Sequence, residues 1–356
     1  MNQRQREIDF LRGIAIILVL FRHHALFSFT VKMGWIGVDL FFVLSGFLIS
    51  NMLFKELKKT GKINAGNFLI RRAFKIYPVF YAFIILTIAT QLLIGDKISL
   101  WKLTGELLFL QNYMGRIWDH TWSLAVEEHF YIAIIIIMPF LGKRHFFNNT
   151  KTVIYTFISL FLLGFLLRVY TNIRYSEEIN SYESHLRFDS LLAGVFVSYL
   201  FNYKYLDLKL FVKNNKLKIL LLIPLLISFT PFIDPMHSFF VKTLGFTLLY
   251  IAFSLLLIYF LITDDINHIL NKLFGAKFTN LLSKIGVYSY SIYIIHLYVL
   301  LIQKKYFHFP EKVSFVIYFI LSIILGTLIS KYFEIPVLRI RDKFFPKKSN
   351  KLENNI

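Results

Sequence analysis

Apolar residues along this chain do not recur at every third or fourth position, as on a helix half immersed in water; they fill whole runs near 20 residues long. A helix rises about 1.5 Å per residue, so about 20 residues cross a hydrocarbon layer of roughly 30 Å. Ten such runs stand at 8–29, 34–54, 74–94, 122–141, 152–170, 185–202, 217–233, 239–262, 286–303 and 313–333. The pattern predicts an all-α polytopic membrane protein with about ten transmembrane helices. The run 217–233 is short and carries Pro224, and 98–112 is too polar to span. The latter reads as an interfacial or re-entrant helix on the outer side. The first run is flanked by Arg and followed at once by a second, so it reads as a span and not as a removable signal.

Composition agrees with that pattern. With 56% hydrophobic and 17% charged residues, the chain is not a soluble enzyme of ordinary make-up. Its 40 Lys+Arg against 21 Asp+Glu leave a formal +19, yet no long polar segment exists to form a nucleic-acid-binding domain. The excess therefore sits in loops between spans, where it reports orientation. Starting from a cytoplasmic N-terminus, 26 Lys and Arg fall on the cytoplasmic side and 10 outside, which places both termini in the cytoplasm of a multi-pass protein of the plasma or inner membrane. No repeat or linker is visible. Residues 1–340 read as one domain, followed by a basic cytoplasmic tail at 341–356. The absence of cysteine excludes structural disulfides, a thiolate zinc site and an enzyme-bound thioester. No metal site and no tightly bound cofactor is expected.

Charge within the spans changes the picture most, because an ionisable side chain in hydrocarbon is costly and marks a functional site or a paired structural lock. Arg12, Arg22, His23 and His24 fall in the first span, Asp39 in the second, Glu127, Glu128 and His129 in the fourth, Arg187 and Asp189 in the sixth, and His296 in the ninth. Arg12 and His23 are eleven residues apart. Eleven steps of about 100° return to within about 20° of the start, some 16 Å along the axis, so the two line one face and His24 does not. By depth, His23, Asp39, Glu127 and Asp189 form a polar centre in the outer half, with Arg12 below it near the cytoplasmic end. The alternative reading is a set of buried ion pairs, such as Arg187 with Asp189 or Asp9 with Arg12, that fix helix packing. Trp101, Trp118 and Trp122 read as an outer aromatic belt.

These residues stand in recognisable company. The opening DFLRGIAIILVLFRHH resembles that of the membrane acyltransferase 3 family, whose hallmark is an Arg followed by ten residues and a His, here Arg12 and His23. WIGVDLFFVLSGFLIS, FLIRRAFKIYPVFY, TWSLAVEEHFY, LRFDSLLAG, IGVYSYSIYIIH and FEIP continue the resemblance in order, from Asp9 to about Pro336. About 20 residues follow the last span, which resembles the form of the family without a fused soluble esterase-like domain. The resemblance implies acyl transfer, usually acetyl, from a cytoplasmic thioester, acetyl-CoA, to a hydroxyl of a cell-surface polysaccharide, glycolipid or lipid-linked sugar.

That reaction needs a base for the hydroxyl proton and groups that stabilise the oxyanion. His23 is the expected base or transient acyl carrier, oriented or protonated by Glu127 or Glu128. These two face about 100° apart, so one points inward, and Glu127 is favoured. Arg12, whose fork suits phosphate, is expected to hold the donor, with Arg71, Arg72 and Lys75 as further phosphate contacts. Hydroxyls from Tyr288 to Ser291 line the donor tunnel in this reading. Asp39, Arg187, Asp189 and His296 are expected around the acceptor. The rival classes are a transporter or flippase for a lipid-linked sugar or small anion, whose charges would line a transport path, and a catalytically silent module on the same fold.

Overall fold

The computed structural model describes residues 5–24, 27–175, 182–233, 235 and 237–346. Its helices are α1 (Arg6–His23), α2 (Ser28–Gly34), α3 (Ile36–Thr60), α4 (Ala65–Leu93), α5 (Leu100–Leu107), α6 (Gln111–Met114), α7 (Trp122–Lys143) and α8 (Thr150–Arg174). They continue as α9 (Phe188–Tyr203), α10 (Tyr205–Ile227), α11 (Phe246–Ile262), α12 (Ile266–Phe274), α13 (Ala276–Val287), α14 (Ser289–Tyr306), α15 (Glu311–Ile329) and α16 (Ile335–Phe344). No strand occurs among the described residues.

Length and apolarity qualify six helical segments among the described residues to cross a membrane, or seven when the bent pair α13 and α14 counts as one. The protein is therefore polytopic and all-α. Fewer segments qualify than the ten runs in the sequence because some runs form helices that are short or rich in charge. Helix α1 has 18 residues and carries Arg6, Glu7, Asp9, Arg12 and Arg22, and α9 has 16 residues. The run at 217–233 is the latter part of α10, which begins at Tyr205 and kinks at Asn215. The run at 286–303 is broken at Tyr288, where α13 turns into α14 through 78°. The segment 98–112 folds as α5 and α6, with Glu106 and Gln111 buried.

Exposed apolar side chains mark the periphery. Ile85 on α4, Leu162 on α8 and Ile320 on α15 are 67%, 54% and 49% exposed, among many similar neighbours. Water would not tolerate so continuous an apolar surface, but lipid does. Helices α1, α3, α9 and α11 lie inside, where the core holds Leu11, Ile16, Phe42, Phe47, Leu191 and Leu257.

Glycine sets how closely the inner helices approach. A Cβ added at Gly46 of α3 would fall on the Leu191 carbonyl of α9, and one at Gly194 of α9 on the Val43 carbonyl of α3. The same reciprocity joins α1 to α13, where Gly13 faces Leu282 and Gly286 faces the Asp9 carbonyl. Small residues let membrane helices meet backbone to backbone, gaining dispersion contacts that lipid does not offer. Gly46→Ala is thus expected to force α3 from α9 and cost about 2 kcal/mol. Thermal unfolding in detergent checks this, with Gly66→Ala as control, because a Cβ there meets nothing closer than Asn64 Oδ1 at 3.8 Å.

Candidate active site

Two cavities lie along α1, one beside each of its two marked residues. The first, of about 120 Å³, is lined by Arg12, Ser45, Arg72, Lys75, Glu127, Glu128, Ser289 and Tyr290. The helix break at Tyr288 presents Ser289, whose Oγ accepts from Arg12 at 3.0 Å. Glu127 accepts from Ser45 Oγ at 3.0 Å and from the Tyr131 hydroxyl at 2.5 Å. Glu128 accepts from the Tyr77 hydroxyl at 3.1 Å. Both glutamates line this cavity, which corrects the expectation that only one points inward: the space extends from Ser45 on α3 to the α4 side where Tyr77 waits.

The basic residues of α4 divide. The Arg72 guanidinium lies 5.8 Å from the ring centroids of Phe68 and Tyr131, within the cavity wall. Lys75 also lines it and pairs with Glu334, which accepts from Ser291 Oγ at 2.6 Å and Ser330 Oγ at 2.9 Å. Arg71 does not face the cavity, contrary to expectation. Its guanidinium is held by Asp342 at 2.8 Å and by the Phe345 carbonyl, because one residue along a helix turns the side chain by about 100°. The first residues of the predicted tail, 341–344, accordingly belong to α16, which docks on α4; residues from 347 onward lie outside the described structure.

The second cavity, of about 400 Å³, is lined by Arg22, His23, Asp39, His120, Arg187 and Tyr293 with several aromatic neighbours. Arg187 donates to Asp39 Oδ1 at 2.6 Å and lies 3.8 Å from the Phe246 ring centroid. The Arg187–Asp189 pair of the alternative reading is not formed. Residues two apart on a helix diverge, so Arg187 reaches across to α3 while Asp189 pairs with Arg168 of α8, both 1% exposed. Arg168 also donates to Thr247 Oγ1 at 2.8 Å. Asp189 therefore lines neither cavity and forms a lock between α8, α9 and α11.

The histidines sort by neighbour. His24 bonds Ser314 Oγ at 2.8 Å and packs on Phe315 and Tyr318, leaving His23 to face the second cavity, as helical phase requires. His296 is fully buried, its ring centroid 5.0 Å from that of His23 and 4.9 Å from that of His120. His129 bonds Ser184 Oγ at 2.6 Å, away from both cavities.

His120 carries no signal in the sequence reading, because it lies in the loop before α7 and not in an apolar run. Glu106 builds that loop: it accepts from the Ile117 and Trp118 backbone at 2.9 and 3.4 Å and from Thr121 Oγ1 at 2.9 Å. Burial pushes the Glu106 carboxyl up and the His120 imidazole down to about 3, so His120 is neutral at ordinary pH. Trp118 and Trp122 are buried beside it and do not join the predicted belt. Trp118 Nε1 donates to Thr87 Oγ1 at 3.0 Å.

The cavities share two residues, Val38 and Tyr293. Tyr293 is held there by its hydroxyl, which donates to the His120 carbonyl at 2.8 Å and meets Ser123 Oγ at 2.6 Å. Val38 and Tyr293 thus border both a chamber that holds Arg12 with two glutamates and a chamber that holds His23, His120 and the Asp39–Arg187 pair. Glu127 shares the first chamber with Arg12, whereas His23 lines the second.

Away from both chambers, Asp189→Ala strands a buried guanidinium and is expected to cost about 3–5 kcal/mol. Arg168→Met with Asp189→Leu, which removes both charges, should recover most of that loss of thermal stability in detergent.

No solved structure matches the chain. Peptidoglycan O-acetyltransferase OatA of Listeria monocytogenes is 29% identical over 81% of this chain and 48% of its own length. O-acetyltransferase OatA of Staphylococcus aureus is 24% identical over 98% of this chain and 60% of its own. The chain thus spans about half the length of the curated relatives it matches. A family model described as an acyltransferase domain matches residues 5–331, and with the Arg12 and His23 chambers inside that match, the chain belongs to this acyltransferase family.

Proposed function

We propose that this protein is a membrane O-acetyltransferase that moves an acetyl group from acetyl-CoA in the Arg12 chamber to a glycan hydroxyl in the His23 chamber. The single observation behind this reading is that one helix face carries Arg12 into one cavity and His23 into the other, and that Val38 and Tyr293 line both. Family membership supplies the reaction class. The Listeria relative, named for peptidoglycan, suggests a cell-envelope glycan or its lipid-linked precursor as acceptor.

In this mechanism Arg12 and Arg72 bind the phosphates of the donor, and its slender thiol arm reaches toward the Val38 and Tyr293 wall. The acceptor enters the larger chamber, where the aromatic rings take a sugar face and the Asp39–Arg187 pair bonds its hydroxyls. His23 removes the proton of the attacking hydroxyl. Glu127 and Glu128 act on the donor side, holding Arg12 and Arg72 in place. In the bilayer, the ten apolar runs all cross or enter the membrane, the short charged α1 and α9 being surrounded by other helices. Both termini then face the cytoplasm of a cell that carries the protein in its plasma membrane, and the donor enters from that side.

Mass spectrometry of surface glycans tests the reading in cells producing wild type, His23→Ala, His24→Ala or Arg12→Ala. An acetyl increment is expected with wild type and His24→Ala. It should fall about 10²-fold or more with His23→Ala, the usual contribution of a general base. Arg12→Ala should also weaken acetyl-CoA binding to the purified protein about tenfold or more, as loss of a charged hydrogen bond does. An unchanged glycan pool with correctly inserted wild type, or transfer that depends on His24 instead of His23, would overturn the assignment.

A further inference from the structure

An open groove of about 470 Å³ adjoins the His23 chamber. One wall is Ile117, Trp118 and Asp119 of the loop before α7, held by the Glu106 carboxylate through the Ile117 and Trp118 backbone. The other wall is α14, with Leu297, Leu300 and Leu301 followed by Lys304 and Lys305. Asp119 lines both the groove and the chamber, so the two meet at that residue. Residues 297, 300, 301 and 304 recur at helical spacing and share one face of α14, and seven steps of about 1.5 Å put Lys304 about 10 Å beyond Leu297. The groove is therefore apolar along its length and basic at its end.

Charge adds an independent constraint. The linings of groove and chamber together carry Arg22, Arg116, Arg187, Lys304 and Lys305 against two carboxylates, Asp39 and Asp119. Asp39 is taken by Arg187 at 2.6 Å and Asp119 by Arg116 at 3.2 Å. Arg22, Lys304 and Lys305 pair with no carboxylate among the described residues, and Arg22 Nη1 donates to the Val31 carbonyl at 3.3 Å. A guanidinium has five N–H donors, so Arg22 keeps capacity for an anion in the chamber that it lines.

We propose that the acceptor is a glycan joined through phosphate to a long hydrocarbon tail, which reaches the His23 chamber sideways from the bilayer. The tail lies along the leucine face of α14, the phosphate is drawn by Lys304, Lys305 and Arg22, and the sugar passes Asp119 toward His23. This rests on the His23 chamber as the acceptor site of the proposed reaction. Continuity at Asp119 and the excess of three cations carry the choice of occupant. An ordinary phospholipid satisfies the leucines and lysines but has no sugar to extend into the chamber, and a polymeric glycan has no tail for the leucine face.

The experiment uses the purified full chain in phosphatidylcholine nanodiscs. Its probes are a peptidoglycan disaccharide linked through diphosphate to a farnesyl tail, the same disaccharide diphosphate without the tail, and phosphatidylglycerol. Native mass spectrometry reads binding, and transfer from acetyl-CoA is assayed beside it. Wild type is expected to hold the tailed probe about tenfold or more tighter than either of the others. Lys304→Gln with Lys305→Gln, both at exposed positions, should weaken the tailed probe about tenfold with an unchanged Kd for acetyl-CoA. Leu301→Glu, which sets a carboxylate among the leucines, should remove the preference for the tail. Equal binding of tailed and tailless probes, equal binding of phosphatidylglycerol, or a preference that survives both variants would overturn the inference. Tail preference without acetyl transfer strikes the acyltransferase reading alone, and transfer without tail preference strikes this inference alone.

Discussion

The backbone contact between α1 and α13 governs the rest of the structure. Gly13 and Gly286 let the two helices meet without side chains between them, and that contact fixes the rotation of α1 about its own axis. Rotation is what matters for Arg12 and His23, which lie on one face but at different heights. Held in this phase, α1 sends Arg12 toward Ser289 at the α13–α14 break and His23 toward His296 further along α14. A bulkier contact would turn the helix and swing both residues away together.

Polar residues inside a lipid-facing bundle have to be satisfied by one another, and the bundle meets that demand in separate groups. Asp39 with Arg187 and Asp189 with Arg168 are buried pairs joining α3, α9 and α8. Lys75 with Glu334 joins α4 to the π-turn after α15, and Arg71 with Asp342 fastens α16 to α4. The Asp39–Arg187, Lys75–Glu334 and Arg71–Asp342 pairs link segments distant in sequence, and breaking either of the two fully buried pairs, Asp39–Arg187 or Asp189–Arg168, would strand a buried charge. The site is built between these locks.

Much of this was legible along the chain. Long apolar runs announce a membrane protein, and the eleven-residue spacing of Arg12 and His23 announces a shared helix face that the two cavities bear out in position. Helical phase also separates His23 from His24. What the pattern could not carry is tertiary pairing. Asp189 lies two residues from Arg187, yet its partner is Arg168, because side-chain direction and not proximity in sequence decides. Arg71 and Arg72 look alike in the chain and part company for the same reason. His120 and Glu106 were invisible because they sit in irregular or short segments where no periodicity operates. The break at Tyr288 lies at the start of the run 286–303, where hydroxyl side chains from Tyr288 to Ser291 give no direct warning of a 78° turn.

The wall formed by Val38 and Tyr293 has an electrical consequence. If the two chambers fill with water from opposite sides, as the proposed reaction requires, a voltage across the membrane would fall mainly over the layer of side chains between them. A unit charge crossing it would exchange about 2.3 kcal/mol per 100 mV with the field. A neutral acyl group would cross without that exchange. Chemistry could then pass through the membrane without discharging it.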